Sequence, residues 1–341
     1  MTASLMRQET LEIPAAAERL LSQGHDRITG AADALRAHDP RFFTSIARGS
    51  SDHVASYFKY ASELMSGVPV ASVGPSVASV YHRPLSLNGG ASLAISQSGK
   101  SPDIIEMTRA SKAAGALTLA LINTEDAPLA QACDHPLDLL AGPENSVAAT
   151  KSFVNSAIAA LLLLAHWRED HELLNALHNL PEHLEKAVNT GWPGVAEALA
   201  EQTSLFTLGR GPGWAISNEA ALKFKEVCQI HAESYSSAEV LHGPVSLVGD
   251  GFPVIAFAAG DAAESHVAGI ADQIAGLGGR VFVSSPLARK AQIIDVPRTG
   301  HILTDPLVLI AGFYVMIERL AVLRGFNPDQ PRHLKKVTET V

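Results

Sequence analysis

The apolar positions of this chain come in short runs, each closed by a polar turn and followed by apolar residues at helical spacing. FFTSI from Phe42, LAIS from Leu93 and ALTLALI from Ala116 read as strands, with helical patterns between them. The order strand, helix, strand, helix, strand predicts a parallel sheet with helices on both faces. The pattern then returns. FFTSIARGSSDHVASYFKYASEL from Phe42 is answered by LFTLGRGPGWAISNEAALKFKEV from Leu205, LAISQSGKSPD by VIAFAAGDAAE, and ALTLALIN by GRVFVSS. Gly49 to Gly99 spans 50 positions and Gly211 to Gly260 spans 49, and all three pairs keep an offset near 162. Three strands at one offset mean a duplicated α/β unit. A polar helical stretch over about 166–195 separates the halves and carries the expected domain boundary.

Composition agrees with covered parallel sheets. Hydrophobic residues make up 47% of the 341, and mean hydropathy is +0.13. The longest apolar run, AIAALLLLAHW at 157–167, has about half the length of a membrane span and reads as a buried core helix. The N-terminus lacks a basic segment leading into an apolar one, so no signal peptide is expected. Cys133 and Cys228 form no ligand pattern, which points to a reduced, cytoplasmic protein. A net charge of −9 with scattered basic residues argues against nucleic acid, and the 14 histidines contain no metal-binding spacing; neither a metal nor a cofactor is expected.

In parallel sheets of this kind, ligands bind beyond the carboxyl ends of the strands. That rule selects the turns at 47–51, 96–101 and 209–213. SQSGKS at 96–101 imitates a nucleotide-binding loop, but the glycine required four residues earlier is Ala94, inside the strand. What remains is a turn with Ser96, Gln97, Ser98 and Ser101 before a helix near Pro102, with Ser50 and Ser51 one strand over. Such hydroxyls and helix amides suit one phosphate dianion. GRGPGW at 209–214 has the glycine spacing of a dinucleotide site only in part, so a dehydrogenase is a poor fit. In EAALKFKEV at 219–227, Glu219, Lys223 and Glu226 share one arc of the helix beside an apolar stripe of Ala220, Phe224 and Val227. Taken alone, this is an ion pair on a solvated face, with Glu219 facing Lys223 and Lys225 pointing elsewhere.

Six motifs in order from about residue 40 onward resemble the SIS (sugar isomerase) family: GSS at 49–51, SQSGKSPD at 96–103, ENSVAATKSF at 144–153, EAALKFKEV at 219–227, SAEVLHGPVSL at 237–247 and DQPRHLKK at 329–336. The resemblance is closer still to the isomerase half of glucosamine-6-phosphate synthase. It implies two tandem doubly wound, flavodoxin-like parallel-sheet domains of the α/β class, at 35–180 and 195–327. A helical segment at 1–34 precedes them, and a tail at 328–341 closes over the site. By the same resemblance Ser51, Ser96, Gln97, Ser98 and Ser101 match sugar-phosphate contacts, and Val147 matches a backbone contact to the sugar. Glu226 matches the carboxylate that moves a proton between C1 and C2, and Lys223 a lysine near the reactive end of the sugar. His242 matches a ring-opening histidine supplied by the neighbouring subunit of a homodimer, and Lys336 a lysine of the closing tail. Lys100, Ala149 and Val80 depart from the family pattern, where a Glu, a Ser and an acid are usual.

Independent chemistry fits these assignments. Aldose–ketose interconversion needs one base that removes a proton α to a carbonyl and returns it one carbon away, and a carboxylate can do both. A neighbouring lysine can stabilise charge on a substrate oxygen, and a histidine suits ring opening. The synthases draw ammonia from glutamine through a cysteine-headed domain. Here about 40 residues precede the first repeat, and neither cysteine fits that role. The expectation is therefore an amino-sugar phosphate deaminase, converting glucosamine 6-phosphate and water into fructose 6-phosphate and ammonia. Its rivals are a deaminase for galactosamine 6-phosphate or its N-acetyl form, a fructosamine-phosphate deglycase, an aminotransferase-like enzyme, a plain phosphosugar isomerase and, from another class, a non-catalytic sugar-phosphate sensor. No membrane association is expected.

Overall fold

The structure is a computed structural model, and residues 3–124 and 126–336 are described. They divide into two compact units. The first holds Ala15–Glu144, Lys151–His178 and the tail from Lys335; the second holds the residues up to Pro14, Asn145–Thr150 and Asn179–Leu334.

The chain opens with α1 (Leu5–Leu11), part of the second unit, and α2 (Ile13–Gln23), most of which belongs to the first. The first unit continues through α3 (His25–His38), β1 (Phe43–Ile46), α4 (Ser50–Ser66), β2 (Val70–Ser72), α5 (Ser76–Ser79) and β3 (Ala91–Ser96). It goes on with α6 (Pro102–Ala113), β4 (Leu117–Ile122), α7 (Pro128–Ala132), β5 (His135–Asp138), α8 (Lys151–Arg168) and α9 (His171–His178). The second unit contains α10 (Leu180–Thr190), α11 (Val195–Leu199), β6 (Ser204–Gly209), α12 (Pro212–Cys228) and β7 (His231–Ser236). Two 3-10 turns, Glu239–His242 and Pro244–Leu247, lead to β8 (Pro253–Ala256), α13 (Glu264–Gly276), β9 (Arg280–Val283), β10 (Gln292–Ile293) and α14 (Asp305–Leu323).

Both sheets are parallel throughout. Their orders are β2-β1-β3-β4-β5 and β7-β6-β8-β9-β10, one and the same topology. The sequence repeat is thus a repeat of fold, and the order is the flavodoxin-like 2-1-3-4-5. Helices on both faces explain why β3 and β6 are apolar or small at nearly every position and buried along their length. In the first unit Ile46, Ala94, Ala120 and Ile122 pack on Ile104 and Met107 of α6. In the second, Leu208, Val254, Ala256 and Val283 pack on Val267, Ala271 and Ile274 of α13. Each of the valines, leucines, isoleucines and the methionine among them contributes about 1.5–3 kcal/mol by leaving water, and each alanine less.

The run at 157–167 lies inside α8, whose residues are buried on every face, as its composition predicts. α14 is the one described helix long and apolar enough to cross a membrane, and 83% of that stretch is buried inside the protein. It is a core helix of the second unit, in contact with α12, α10, α11 and α1.

The turns that lead from the first strand of each sheet into its helix are superimposable in conformation. Gly49 has φ 55° and ψ −133°, and Gly211 has φ 56° and ψ −134°. Only glycine adopts this region without strain, which is why the Arg-Gly pair recurs at both strand ends.

Candidate active site

In the first unit the turn after β3 is shaped by Gly99. Its φ of +61° is left-handed, and an added Cβ would lie 2.5 Å from Ala127 Cβ and 2.9 Å from Ile122 Cγ2. The backbone is thereby folded tightly against the start of α7, where Leu129 N donates to Gly99 O at 3.1 Å. Ser96 Oγ accepts from Gly99 N at 3.2 Å and Ser98 Oγ from Lys100 N at 3.3 Å, which leaves both hydroxyl protons for other acceptors. Ser101 is the N-cap of α6, yet its side chain makes no capping bond. Among the described residues the side chains of Ser51, Gln97 and Ser101 make no hydrogen bond. A serine that merely capped its helix would use its hydroxyl on the backbone.

The turns after β1 and β3 are tied together by one ion pair. Arg48 donates from Nε and Nη2 to Asp103 Oδ2, at 3.1 and 3.0 Å, and Asp103 is buried at the first turn of α6. Asp52, in the first turn of α4, has its carboxyl pKa raised by burial, with His53 and Arg48 working in the opposite direction.

Lys336 docks within the same unit. Its Nζ donates to Glu144 Oε2 at 3.1 Å, and the buried Glu144 also accepts from Ser152 N at 3.0 Å and Ser152 Oγ at 2.5 Å. The tail lysine is therefore bound to the ENSVAATKSF motif rather than dangling in solvent. Residues 337–341 of the tail lie outside the described residues.

The second unit holds the EAALKFKEV helix, α12. It is sandwiched between β6 and β7 on one side and α14 on the other, so most of its charged arc is taken out of water. Glu219 and Lys223 are both fully buried, which corrects the expectation of a surface ion pair. Lys223 Nζ lies 3.1 Å from Glu219 Oε1 and 2.7 Å from Glu226 Oε2. Burial works against the ammonium, but the charges of Glu219 and Glu226 and its hydrogen bonds to both outweigh it. The Lys223 pKa is accordingly raised above the ordinary lysine range. Lys223 has no exposed surface and holds Glu226 in place. Glu226 alone of the three reaches the surface, with 21% of its side chain exposed. Tyr314 Oη of α14 donates to Glu219 Oε1 at 3.1 Å. Lys225 is exposed, as expected.

Val147 sits half-buried in the Asn145–Thr150 segment. That segment is held by a residue sequence reasoning did not single out. Glu9 of α1, 4% exposed, accepts from the backbone N–H of Asn145 and, at 3.3 and 3.2 Å, from that of Ser146. Nothing local marks Glu9, which lies 136 positions from its partner. His242 is exposed at the end of the first 3-10 turn and makes no hydrogen bond or ion pair among the described residues. It is not joined to Glu226 within this chain.

Both thiols are buried. Burial pushes Cys133 up to about 11, and burial raises Cys228 further, against the pull of Arg324. Neither is a ready thiolate at neutral pH.

A family model described as the SIS domain matches residues 42–166 and again 198–320. The chain belongs to the SIS domain family. This SIS chain is 32% identical over 365 residues to glutamine–fructose-6-phosphate aminotransferase (isomerizing) of Symbiobacterium thermophilum, covering 98% of the chain and 58% of that protein. It spans about half the length of the curated relatives it matches. Among solved structures, a candidate phosphosugar isomerase from Silicibacter pomeroyi DSS-3 is 56% identical, with a TM-score of 0.93, covering 96% of this chain and all 100% of that one. The C-terminal domain of glucosamine-fructose-6-phosphate aminotransferase from Francisella tularensis shares the fold, with a TM-score of 0.87 at 24% identity, over 97% of this chain and 99% of that one. The relatives are thus of the phosphosugar-isomerase type.

Proposed function

We propose that this SIS chain is an amino-sugar phosphate deaminase with aldose–ketose isomerase chemistry, acting on glucosamine 6-phosphate. The observation that carries the reading is the buried Glu219–Lys223–Glu226 cluster, which fixes one carboxylate at the surface with a permanent ammonium behind it. Such a carboxylate is held in one orientation and can take and return a proton without leaving its anchor. The phosphate falls to the hydroxyls of Ser51, Ser96, Ser98 and Ser101 with Gln97, and the sugar to the backbone at Val147.

After ring opening, assigned to His242 of a second copy in a homodimer, the substrate carries an aldehyde at C1 and an amine at C2. Glu226 takes the C2 proton, the electron pair forms the C1–C2 double bond, and O1 takes up a proton from solvent to give the enolamine. The same carboxyl returns the proton to C1 as the amine gives up one proton to solvent, leaving an imine at C2. Water adds to that carbon and ammonia departs, giving fructose 6-phosphate. Lys336, anchored on Glu144, is assigned to the substrate site.

The test is ammonia and fructose 6-phosphate formation from glucosamine 6-phosphate by the purified chain. Glu226→Gln is expected to lower turnover by about 10²–10⁴-fold, the contribution of a positioned general base. Absence of ammonia from glucosamine and galactosamine 6-phosphates overturns the deaminase reading. Interconversion of unaminated hexose phosphates would then mark a plain isomerase, and tight binding without turnover a sensor.

A further inference from the structure

We propose that Tyr314 is a positioning residue for Glu226, acting through Glu219 and Lys223. The role of Glu226 rests on the reaction proposed above; the coupling of Tyr314 to it rests on geometry alone.

Three donor–acceptor contacts run in line from α14 to the outer carboxylate. Tyr314 Oη donates to Glu219 Oε1 at 3.1 Å. Lys223 Nζ meets that same oxygen at 3.1 Å. On its other side Nζ donates to Glu226 Oε2 at the shorter distance of 2.7 Å. Tyr314, Glu219 and Lys223 are each 0% exposed, so bulk solvent does not reach this line. Two carboxylates therefore share one ammonium, and the division between them depends on what else stabilises each. The phenol hydroxyl stabilises the negative charge of Glu219 and reduces its demand on Nζ. Nζ is left closer to Glu226, which fixes the carboxylate that moves the proton. In a buried site this balance responds strongly to one hydrogen bond, because bulk water is not at hand to replace a missing donor.

The ring itself belongs to the aromatic core. Tyr314 lies beside Phe313, which packs in turn on Phe224, Phe257 and Trp192. A phenylalanine at this position keeps the ring and deletes only the hydroxyl, so Tyr314→Phe separates positioning from packing. Without the hydroxyl, Lys223 is drawn toward Glu219 and its bond to Glu226 lengthens.

Two measurements on Tyr314→Phe decide the matter. In steady-state kinetics with glucosamine 6-phosphate, kcat is expected to fall about tenfold, the scale of one buried hydrogen bond to a charged group, while KM stays within about twofold. In 15N spectra of the lysine side chains, the Nζ resonance of Lys223, assigned with Lys223→Arg, is expected to move. An unmoved resonance overturns the inference whatever the kinetics show, and so does an unchanged kcat, or a raised KM at constant kcat. If the unsubstituted protein turns over no sugar phosphate, the proposed reaction fails instead. The resonance then still decides: a shift keeps Tyr314 coupled to the Glu226 anchor, and no shift removes it.

Discussion

The turn after β3 and the turn after β8 occupy equivalent places in two copies of one fold, yet they treat negative charge in opposite ways. In the first unit the turn carries Ser96, Gln97, Ser98 and Ser101, and the side chains of Gln97 and Ser101 are uncommitted. In the second unit the turn carries Ala258, Ala259 and Gly260, and the anion is built in. Asp305, 2% exposed, accepts from Gly260 N at 2.9 Å, Thr299 N at 2.6 Å and Thr299 Oγ1 at 2.9 Å. Arg298 supports it from Nη1 at 3.0 Å and also binds Ala258 O and Glu264. A strand-end turn with free amides attracts an anion in either unit. One copy leaves that place to hydroxyl donors suited to an incoming phosphate; the other fills it with its own carboxylate and becomes structural.

The contrast breaks most visibly on stability. Asp305→Ala leaves Arg298 with the Glu264 carboxylate and the carbonyls of Ala258 and Ser284, and should cost about 3 kcal/mol, the lower end for removing one partner of a buried pair. Ser98→Ala with Ser101→Ala should leave stability within about 0.5 kcal/mol while lowering affinity for inorganic phosphate. Urea unfolding and calorimetric phosphate titration measure the two. A serine pair as costly to fold as Asp305 would make the first turn structural too.

The shared part of the repeat predicts equal effects. Gly49→Ala and Gly211→Ala each place a Cβ on a glycine-only conformation, with nothing within 4 Å to clash. Each should cost about 1–3 kcal/mol from backbone strain alone. Unequal losses in chemical unfolding would show that the two turns differ in more than sequence.

The smallest effect belongs to Asp52 at the first turn. Burial raises its folded pKa above 3.8, so the folded state prefers the protonated acid. As pH rises above 3.8 the unfolded chain ionises first, and stability falls as pH passes through the folded pKa. Asp52→Asn should therefore be the more stable protein at neutral pH, and the gain should vanish below pH 3.8. A gain that persists in acid would assign it to something other than this carboxyl.

Much of this molecule was legible beforehand. Strands such as LAIS and LFTLG announce themselves because residues covered on both sides must all be apolar or small. The Arg48-Gly49 and Arg210-Gly211 pairs mark the same turn twice because only glycine fits it. Glu226 and Lys223 could be placed on one helix face by spacing alone. Their burial could not, and the solvated-face reading of Glu219 failed because α14 covers the arc from a distance in sequence. Glu9, Tyr314 and Asp305 carry no local signal of their roles: an acid near a helix start looks the same whether it faces water or a buried amide.

By itself, then, the order of residues determined the repeat, the parallel sheets and the helix that bears the carboxylate, since these follow from local geometry and short-range periodicity. Which charges lose water was decided only when the chain folded. That outcome depends on what packs across each helix and strand end, and Tyr314 meets Glu219 from 95 positions away. Desolvation is a property of the whole surrounding shell, and no window of sequence contains it.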